Sequence, residues 1–282
     1  MVTHASFAYH FDKTKYARIG VMPRHGTSAD QVKWFDIAPC FMFHVSNAYE
    51  ETDAEGNTTV VVCGCRFENF NLTLREVDTD YLAKSQTYHE WRLPLGRWDG
   101  SENADDDAAA RTASSSGLPV ALERCVLPFA CDFPAIHPAR VGRKHRFAWL
   151  PRMATDTGPA APLMDRVVKL DGDRVVGEIA FGKGRFGGEC VFVPRPRGGA
   201  SSWPPRPPLS DADEDDGWLV TFIYDRGTRT SEFVVWDART MADEPVAVVA
   251  LPQRVPYGFH GAWVPAGERA KMDPVGTMRS RL

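Results

Sequence analysis

The chain has 282 residues, of which 43% are hydrophobic, 25% charged and 11% aromatic, enough apolar material to bury a core as one large domain or two. A formal net charge of −4 gives no general attraction to nucleic acid. No run of about 18 apolar residues is present that could cross a bilayer.

In chain order, residues 1–20, MVTHASFAYHFDKTKYARIG, carry neither the apolar core of a secretory signal nor the Arg/Ser-rich, acid-poor run of a transit peptide. They do not read as the start of a domain, and His4, His10 and His25 fall in irregular sequence. Short apolar or alternating runs then follow: CFMFHV, TTVVVCGCRF, HEWRLPL, KHRFAWL, DRVVKL, RVVGEIAF, CVFVP, WLVTFIYD, SEFVVWDA and PVAVVAL. All are rich in Val, Ile, Phe and Trp and predict strands. VVKLDGDRVVGEI predicts a hairpin turning at Asp171-Gly172. One short helical turn is expected near 78–87. Toward the end, RVPYGFHGAWV (254–264) reads as a further strand in which Gly258 and Gly261 bracket His260, as glycine does where something approaches closely.

Strands grouped this densely predict an all-β domain, a propeller or a sandwich, and no fixed-period repeat supports a WD40 or kelch propeller. Residues 99–117, DGSENADDDAAARTASSSG, and 194–217, PRPRGGASSWPPRPPLSDADEDDG, are too polar to form a core. They are expected as surface insertions within one domain.

Six cysteines, Cys40, Cys63, Cys65, Cys125, Cys131 and Cys190, contain no CxxC pair, which removes zinc-ribbon and thioredoxin chemistry. They read as small core residues of a reducing compartment, with Cys63 and Cys65 on one face of a strand. GKGRFGG places Gly182, Gly184 and Gly187 at GxGxxG spacing, but a strand, CVFVP, follows where a dinucleotide site needs a helix. A glycine-rich turn between strands is the reading that remains. No GxSxG, P-loop or HxxxH pattern occurs, so hydrolase and nucleotide classes have no local support. HPARVGRKHR, with His137 and His145, reads as a solvated turn, and His89 could face either way.

His44 lies in the aromatic run CFMFHVSNAYEE behind Phe43, and His260 lies behind Phe259. For either histidine alone, a hydrogen-bonded core histidine is the commoner role. Neutral imidazole is also the usual nitrogen ligand of iron, copper and zinc, and two remote strands can bring two imidazoles to one point. Glu189 is either an exposed glutamate at a strand start or a carboxylate that accepts a proton from a metal-bound histidine.

The stretches YARIGVMPRHG, VKWFDIAPCFMFHVSNAYEE, DFPAIHPARVGRKHRFAW, GKGRFGGECVFVP, DDGWLVTFIYD, SEFVVWDARTM and LPQRVPYGFHGAWV together resemble the carotenoid cleavage dioxygenases, also called the carotenoid oxygenase family. The resemblance implies a seven-bladed β-propeller with a non-haem Fe(II) held by four histidines. The implied reaction uses O2 to cleave a polyene double bond into two carbonyl products. It implies that His44 and His260 are the third and fourth iron ligands. Glu189 matches a carboxylate that holds a ligand imidazole through its other ring nitrogen. Asp132 falls where another such carboxylate lies, a position at which many members carry glutamate. Phe43 and Phe259 would line the apolar tunnel that receives the carotenoid or apocarotenoid.

Residues 11–265 follow the family's order, with 1–10 unmatched and 266–282 a tail. The family's first two iron-binding histidines lie upstream of YARIGVMPR, so the chain is expected to carry the C-terminal half, about four blades. It reads as a truncated gene product or an alternative transcript. KYARIGVMPR, CRFEN and DEPVAVVALPQRVPYGFHG look closer to plant-type enzymes cutting at the 9,10 (9′,10′) position, although GRFGGE is equally at home in the 9-cis-epoxycarotenoid group. The rival readings are an inactive fragment that binds carotenoid, membrane or a partner, and an unrelated zinc hydrolase. A peripheral membrane contact is expected from the family, with no amphipathic patch visible. No nucleic acid is implied, and plastid and cytoplasm are both open.

Overall fold

The computed structural model describes residues 11–68, 86–96, 116–154, 163–196, 210, 213–257, 259–265 and 269. Of the turn expected near 78–87, residues 78–85 lie outside the described residues, as do most of both loop insertions, His4, His10 and Gly258, while Gln86 and Thr87 open a strand instead. So do residues 1–10 and the 266–282 tail apart from Arg269. Among the described residues the named elements are strands and two short 3-10 turns, Ala29–Gln31 and Pro138–Arg140. Among the described residues no helix is long and apolar enough to cross a membrane.

The chain divides into two compact units. The first holds β1 (Ala17–Val21) and β2 (Lys33–Ile37), which pair with each other, and a four-stranded antiparallel sheet. That sheet runs β3 (Phe41–Thr52), β4 (Thr58–Phe67), β5 (Gln86–Gly96), β6 (Leu122–Leu127) in spatial order. The run of Val and Cys in TTVVVCGCRF makes β4 a central strand buried on both faces. β5 alternates buried and half-buried positions, while β6, at the sheet edge, exposes Leu122, Arg124 and Cys125 and turns the half-buried Glu123 toward His89 and Arg66. Phe35, Val60, Val62, Trp91 and Leu93 form this unit's core, and each fully buried side chain contributes about 1.5–3 kcal/mol.

The second unit holds the sheet β7 (Phe147–Met153, as far as Pro151), β8 (Met164–Asp171), β9 (Arg174–Ala180) and a five-stranded sheet. In that larger sheet β12 (Gly217–Asp225) pairs with β10 (Arg185–Phe186), β11 (Val191–Pro194) and β13 (Thr230–Asp237), and β13 pairs with β14 (Ala247–Ala250). Its core stacks Trp149 on Phe192 at 4.4 Å and Phe181 on Trp236 at 5.7 Å. The β8–β9 hairpin turns one residue later than its sequence suggests. Asp171 pairs with Arg174, and Gly172 takes φ 61°, so the tight turn is Gly172-Asp173.

Four further expectations are corrected. Residues 254–257 and 259–264 form no strand, although their aromatic content matches one. Strands β1, β2, β6 and β10 were not marked by any sufficiently apolar run. His137 is buried, its ring 5.2 Å from that of Phe192 and its Nδ1 accepting the Ala139 N–H at 3.0 Å, so the basic stretch is not simply solvated. Cys125 is exposed, unlike the buried Cys63, Cys65, Cys131 and Cys190.

The end of the acidic loop is also anchored. Glu214 is fully buried, and its Oε1 accepts the backbone N–H groups of Arg146 at 2.6 Å and Phe147 at 2.8 Å. Its Oε2 sits 2.8 Å from Arg140 Nε. Lys169 Nζ, also buried, donates to Asp215 Oδ2 at 2.7 Å. The insertion therefore ends before Glu214, because buried charge is tolerated where it is paired and hydrogen-bonded.

Candidate metal-binding site

His44 sits on β3 where the strand loses register with β4. The ladder slips between Met42 and His44 and again between Val45 and Asn47. Such bulges re-aim side chains that strict alternation would place elsewhere. The bulged backbone lies so close to β4 that a Cβ on Gly64 would stand 2.8 Å from the His44 carbonyl oxygen. Ser46 Oγ donates to the Cys63 carbonyl at 3.0 Å and shares a 2.7 Å bond with Tyr88 Oη. The buried Asn47 bonds Arg143 O and Gly142 N, which fixes the far end of the irregular stretch.

His44 Nδ1 lies 2.8 Å from Asp132 Oδ1, and Asp132 is only 4% exposed. Phe133 follows in the left-handed region at φ 52°, a conformation costly for a side-chain-bearing residue. Its ring packs on the imidazole with centroids 4.6 Å apart. Strain at Phe133 therefore serves to hold both the carboxylate and a ring against His44. Burial, then the neighbouring Cys131 and Asp132, push the Cys65 thiol well above its ordinary range, so Cys65 faces Asp132 as a neutral group.

His260, in the second unit, lies on an irregular segment and its side chain is 56% exposed. Glu189 Oε2 takes the Gly261 N–H at 2.8 Å and stands 3.3 Å from His260 Nδ1. Thr221 Oγ1 donates to the Glu189 carbonyl at 2.8 Å and ties that carboxylate's backbone to β12. The glycine beside His260 thus contributes its N–H. A Cβ on Gly261 would meet nothing within 4 Å.

The exposed Phe43 ring (46%) packs edge-on against Phe41 at 4.7 Å and Phe67 at 5.6 Å. Phe259 is 68% exposed, edge-on to His260 at 4.9 Å. The structure thus brings His44 together with Asp132, and His260 together with Glu189. The other described histidines have other surroundings: His25 is exposed, and His89 is buried between Glu123 (2.8 Å) and Thr87 (2.9 Å).

The donor chemistry can be tested against a metal. An ionised carboxylate only accepts, so the ring nitrogen facing it carries the proton and the lone pair resides on Nε2. That is the tautomer of a metal-binding imidazole backed by a carboxylate. Neutral imidazole suits Fe(II) among other first-row ions. Among the described residues no group of three or more His, Cys, Asp or Glu is placed to hold a metal. What fits is therefore two single imidazole donors, each with its carboxylate.

Residues that sequence reasoning missed are Gly64, Ser46 and Phe133. Gly64 carried a usable signal, since glycine inside an apolar strand often marks a bulge or close approach.

Residues 1–265 match the family model described as Retinal pigment epithelial membrane protein. The carotenoid 9,10(9′,10′)-cleavage dioxygenase 1 of Pisum sativum is 34% identical over 275 residues, covering 94% of this chain and 44% of that protein. The carotenoid 9,10(9′,10′)-cleavage dioxygenase of Crocus sativus is 36% identical over 277 residues, with the same shares. A 9-cis-epoxycarotenoid dioxygenase of Oryza sativa subsp. japonica is 31% identical over 263 residues, covering 91% of this chain and 34% of that protein. The chain therefore spans less than half the length of these relatives.

Among solved structures, a variant of the Synechocystis apocarotenoid oxygenase aligns with TM-score 0.64 at 25% identity, over 91% of this chain and 45% of that one. The lignostilbene dioxygenase of Pseudomonas brassicacearum aligns with TM-score 0.70 at 21% identity, over 93% and 49%, and shares the fold. The antiparallel sheets are those of a partial propeller of the carotenoid oxygenase type. The chain belongs to the retinal pigment epithelial membrane protein family, that of the carotenoid cleavage dioxygenases.

Proposed function

We propose that this chain carries two imidazole ligands of a non-haem Fe(II) dioxygenase that cleaves a carotenoid or apocarotenoid. The observation that carries the reading is the pair of histidines whose Nδ1 atoms each face a carboxylate, His44 with Asp132 and His260 with Glu189. In the proposed reaction one polyene C=C bond breaks, and each of its carbons receives one oxygen atom of O2, giving two carbonyl products. The 9,10 (9′,10′) position is favoured because the relatives bearing that name share about a third of the sequence.

His44 and His260 would each present Nε2 to Fe(II), which supplies the redox-active centre for dioxygen when bound. Asp132 and Glu189 hold the proton at Nδ1, keep the rings from turning and make the imidazoles better donors. Phe43 and Phe259 offer apolar rings to a polyene that has no polar group along its conjugated length. Exposed aromatic rings of this kind suit an apolar ligand better than water.

Anaerobic reconstitution of the purified chain with Fe(II), followed by metal analysis and incubation with a C40 carotenoid and O2, tests the proposal. Iron lost on His44→Ala or His260→Ala, together with aldehyde products, is the expected result. Iron at background and no aldehyde, where a full-length relative works, would overturn it for this chain. That outcome would favour the second reading, a binding or partner module without catalysis.

A further inference from the structure

The carboxylate behind His260 is a loose hold. The imidazole is more than half exposed, its contact with Glu189 is 3.3 Å long, and the segment that carries it is outside any strand. Something else must set where the ring goes. Two further anchors act on the same segment. Buried Ser231 grips Val255 at both backbone groups, accepting its N–H at 2.9 Å and donating to its carbonyl at 3.3 Å. Three residues before His260, Tyr257 sits against a ready-made platform. Its ring stands edge-on to Tyr224 at 5.3 Å and to Phe186 at 6.4 Å. Phe186 and Tyr224 are themselves directly paired across β10 and β12.

Arginine completes the seat. Arg226 Nε donates to Tyr257 Oη at 3.0 Å while its guanidinium lies over Phe186 at 4.7 Å. Arg254 lies over Tyr224 at 4.7 Å and within 5.7 Å of the Tyr257 ring. The platform residue Phe186 is only three residues from Glu189, and the seated Tyr257 only three from His260. Ring and carboxylate therefore act between the same two short pieces of chain. A tyrosine seated on one fixes the distance at which the histidine meets the other.

We propose that Tyr257, through its Arg226-bound seat on Phe186 and Tyr224, is the positioning residue that brings His260 to Glu189. The inference rests on the reading of His260 as a metal ligand, and adds to it the element that aims the ligand. Tyr257 touches neither metal nor substrate in this role. Leucine at 257 removes the ring and the phenol, whereas phenylalanine keeps the ring and removes only the bond from Arg226.

The test compares Tyr257→Leu and Tyr257→Phe with the wild-type chain by amide hydrogen exchange without metal, and by Co(II) titration followed through visible absorption. In Tyr257→Leu the Gly261 amide, protected by Glu189, is expected to exchange at least about tenfold faster while amides of β12 and β13 keep their rates. Co(II) affinity should fall about tenfold, as when a residue supporting a ligand is removed. Tyr257→Phe should lie between the two. Unchanged Gly261 exchange in Tyr257→Leu overturns the proposal, and so does a loss of protection spread over β12 and β13, which would make Tyr257 a packing residue only. His260→Ala separates the two claims. Co(II) binding that survives it, or that is absent from the wild type, refutes His260 as a ligand and leaves the exchange result to judge Tyr257 by itself.

Discussion

Substituting Gly64 by alanine tests whether backbone crowding on β4 sets the bulge that carries His44. The added methyl would stand 2.8 Å from the His44 carbonyl oxygen and 3.3 Å from Val45 Cα and Met42 Sδ. Two of those three atoms are backbone, so no rotamer change relieves the clash, and β3 must move. Overpacking of this kind costs about 1–3 kcal/mol, against a gain of about 0.4–1 kcal/mol from the stiffer unfolded chain. The net expectation is a loss of about 1–2 kcal/mol in urea unfolding. Gly20→Ala is the matched control. Its methyl would meet atoms as near, at 2.9 Å and 3.0 Å, but they belong to the side chains of Val32 and the half-exposed Trp34, which can turn aside. Gly20→Ala should cost less than about 0.5 kcal/mol, as surface changes do. Equal losses in the two variants, or none in Gly64→Ala, would refute the crowding argument. Movement of β3 should also weaken Co(II) binding in Gly64→Ala and leave it unchanged in Gly20→Ala.

Phe133 offers an inverted glycine test. Both Phe133→Ala and Phe133→Gly remove the buried ring from His44, at about 3–5 kcal/mol, but only glycine relieves the backbone at φ 52°. Phe133→Gly should therefore unfold at higher urea than Phe133→Ala by about 1 kcal/mol, and the opposite order would sink the strain argument. Acid sensitivity follows from two depressed carboxylates in the first unit. Lys144 at 2.7 Å, and then Arg92, hold Glu51 below its ordinary 4.5 despite partial burial. Burial would raise Glu123, but His89 and Arg66 outweigh it and hold it below the same value. Stability from these groups is complete above about pH 4.5 and is lost as pH falls through their lower folded values, by at most about 1 kcal/mol each. The urea midpoint of the wild type should decline below that pH. Glu51→Gln and Glu123→Gln should flatten the decline, and profiles parallel to the wild type would contradict it.

The strands were legible where composition and periodicity agreed. TTVVVCGCRF and WLVTFIYD announce buried strands by their unbroken apolar content, and β4 and β12 are central in their sheets. β6, LERCVL, was not legible because an edge strand bears charge where a central one bears valine. RVPYGFHGAWV misled for the opposite reason. Its aromatics have strand-like composition, but Tyr257 is seated on Phe186 and Tyr224 and Phe259 is an exposed ring. Acidic DADEDDG read as solvated loop because nothing local shows that Arg140 and Lys169 will meet its carboxylates. Pairings of this kind, like His44 with Asp132 across 88 residues, depend on register and bulges that no window of sequence contains.

The two imidazoles are held by different means, and this predicts different tolerances. His44 belongs to a ladder strand whose bulges are clamped by Gly64, Ser46 and Asn47, with a nearly buried aspartate behind it. Its direction is set by backbone, so a change anywhere along β3 or β4 reaches it. His260 rides on a segment without ladder pairing, and its direction is set by side chains from Ser231, Tyr257 and Glu189. Side-chain anchors can be removed one at a time and give graded losses, whereas a bulge forms or does not. Substitutions around His44 should therefore act through the stability of the first unit. Those around His260 should change local exchange and metal affinity while the strands of the second unit stay as they are.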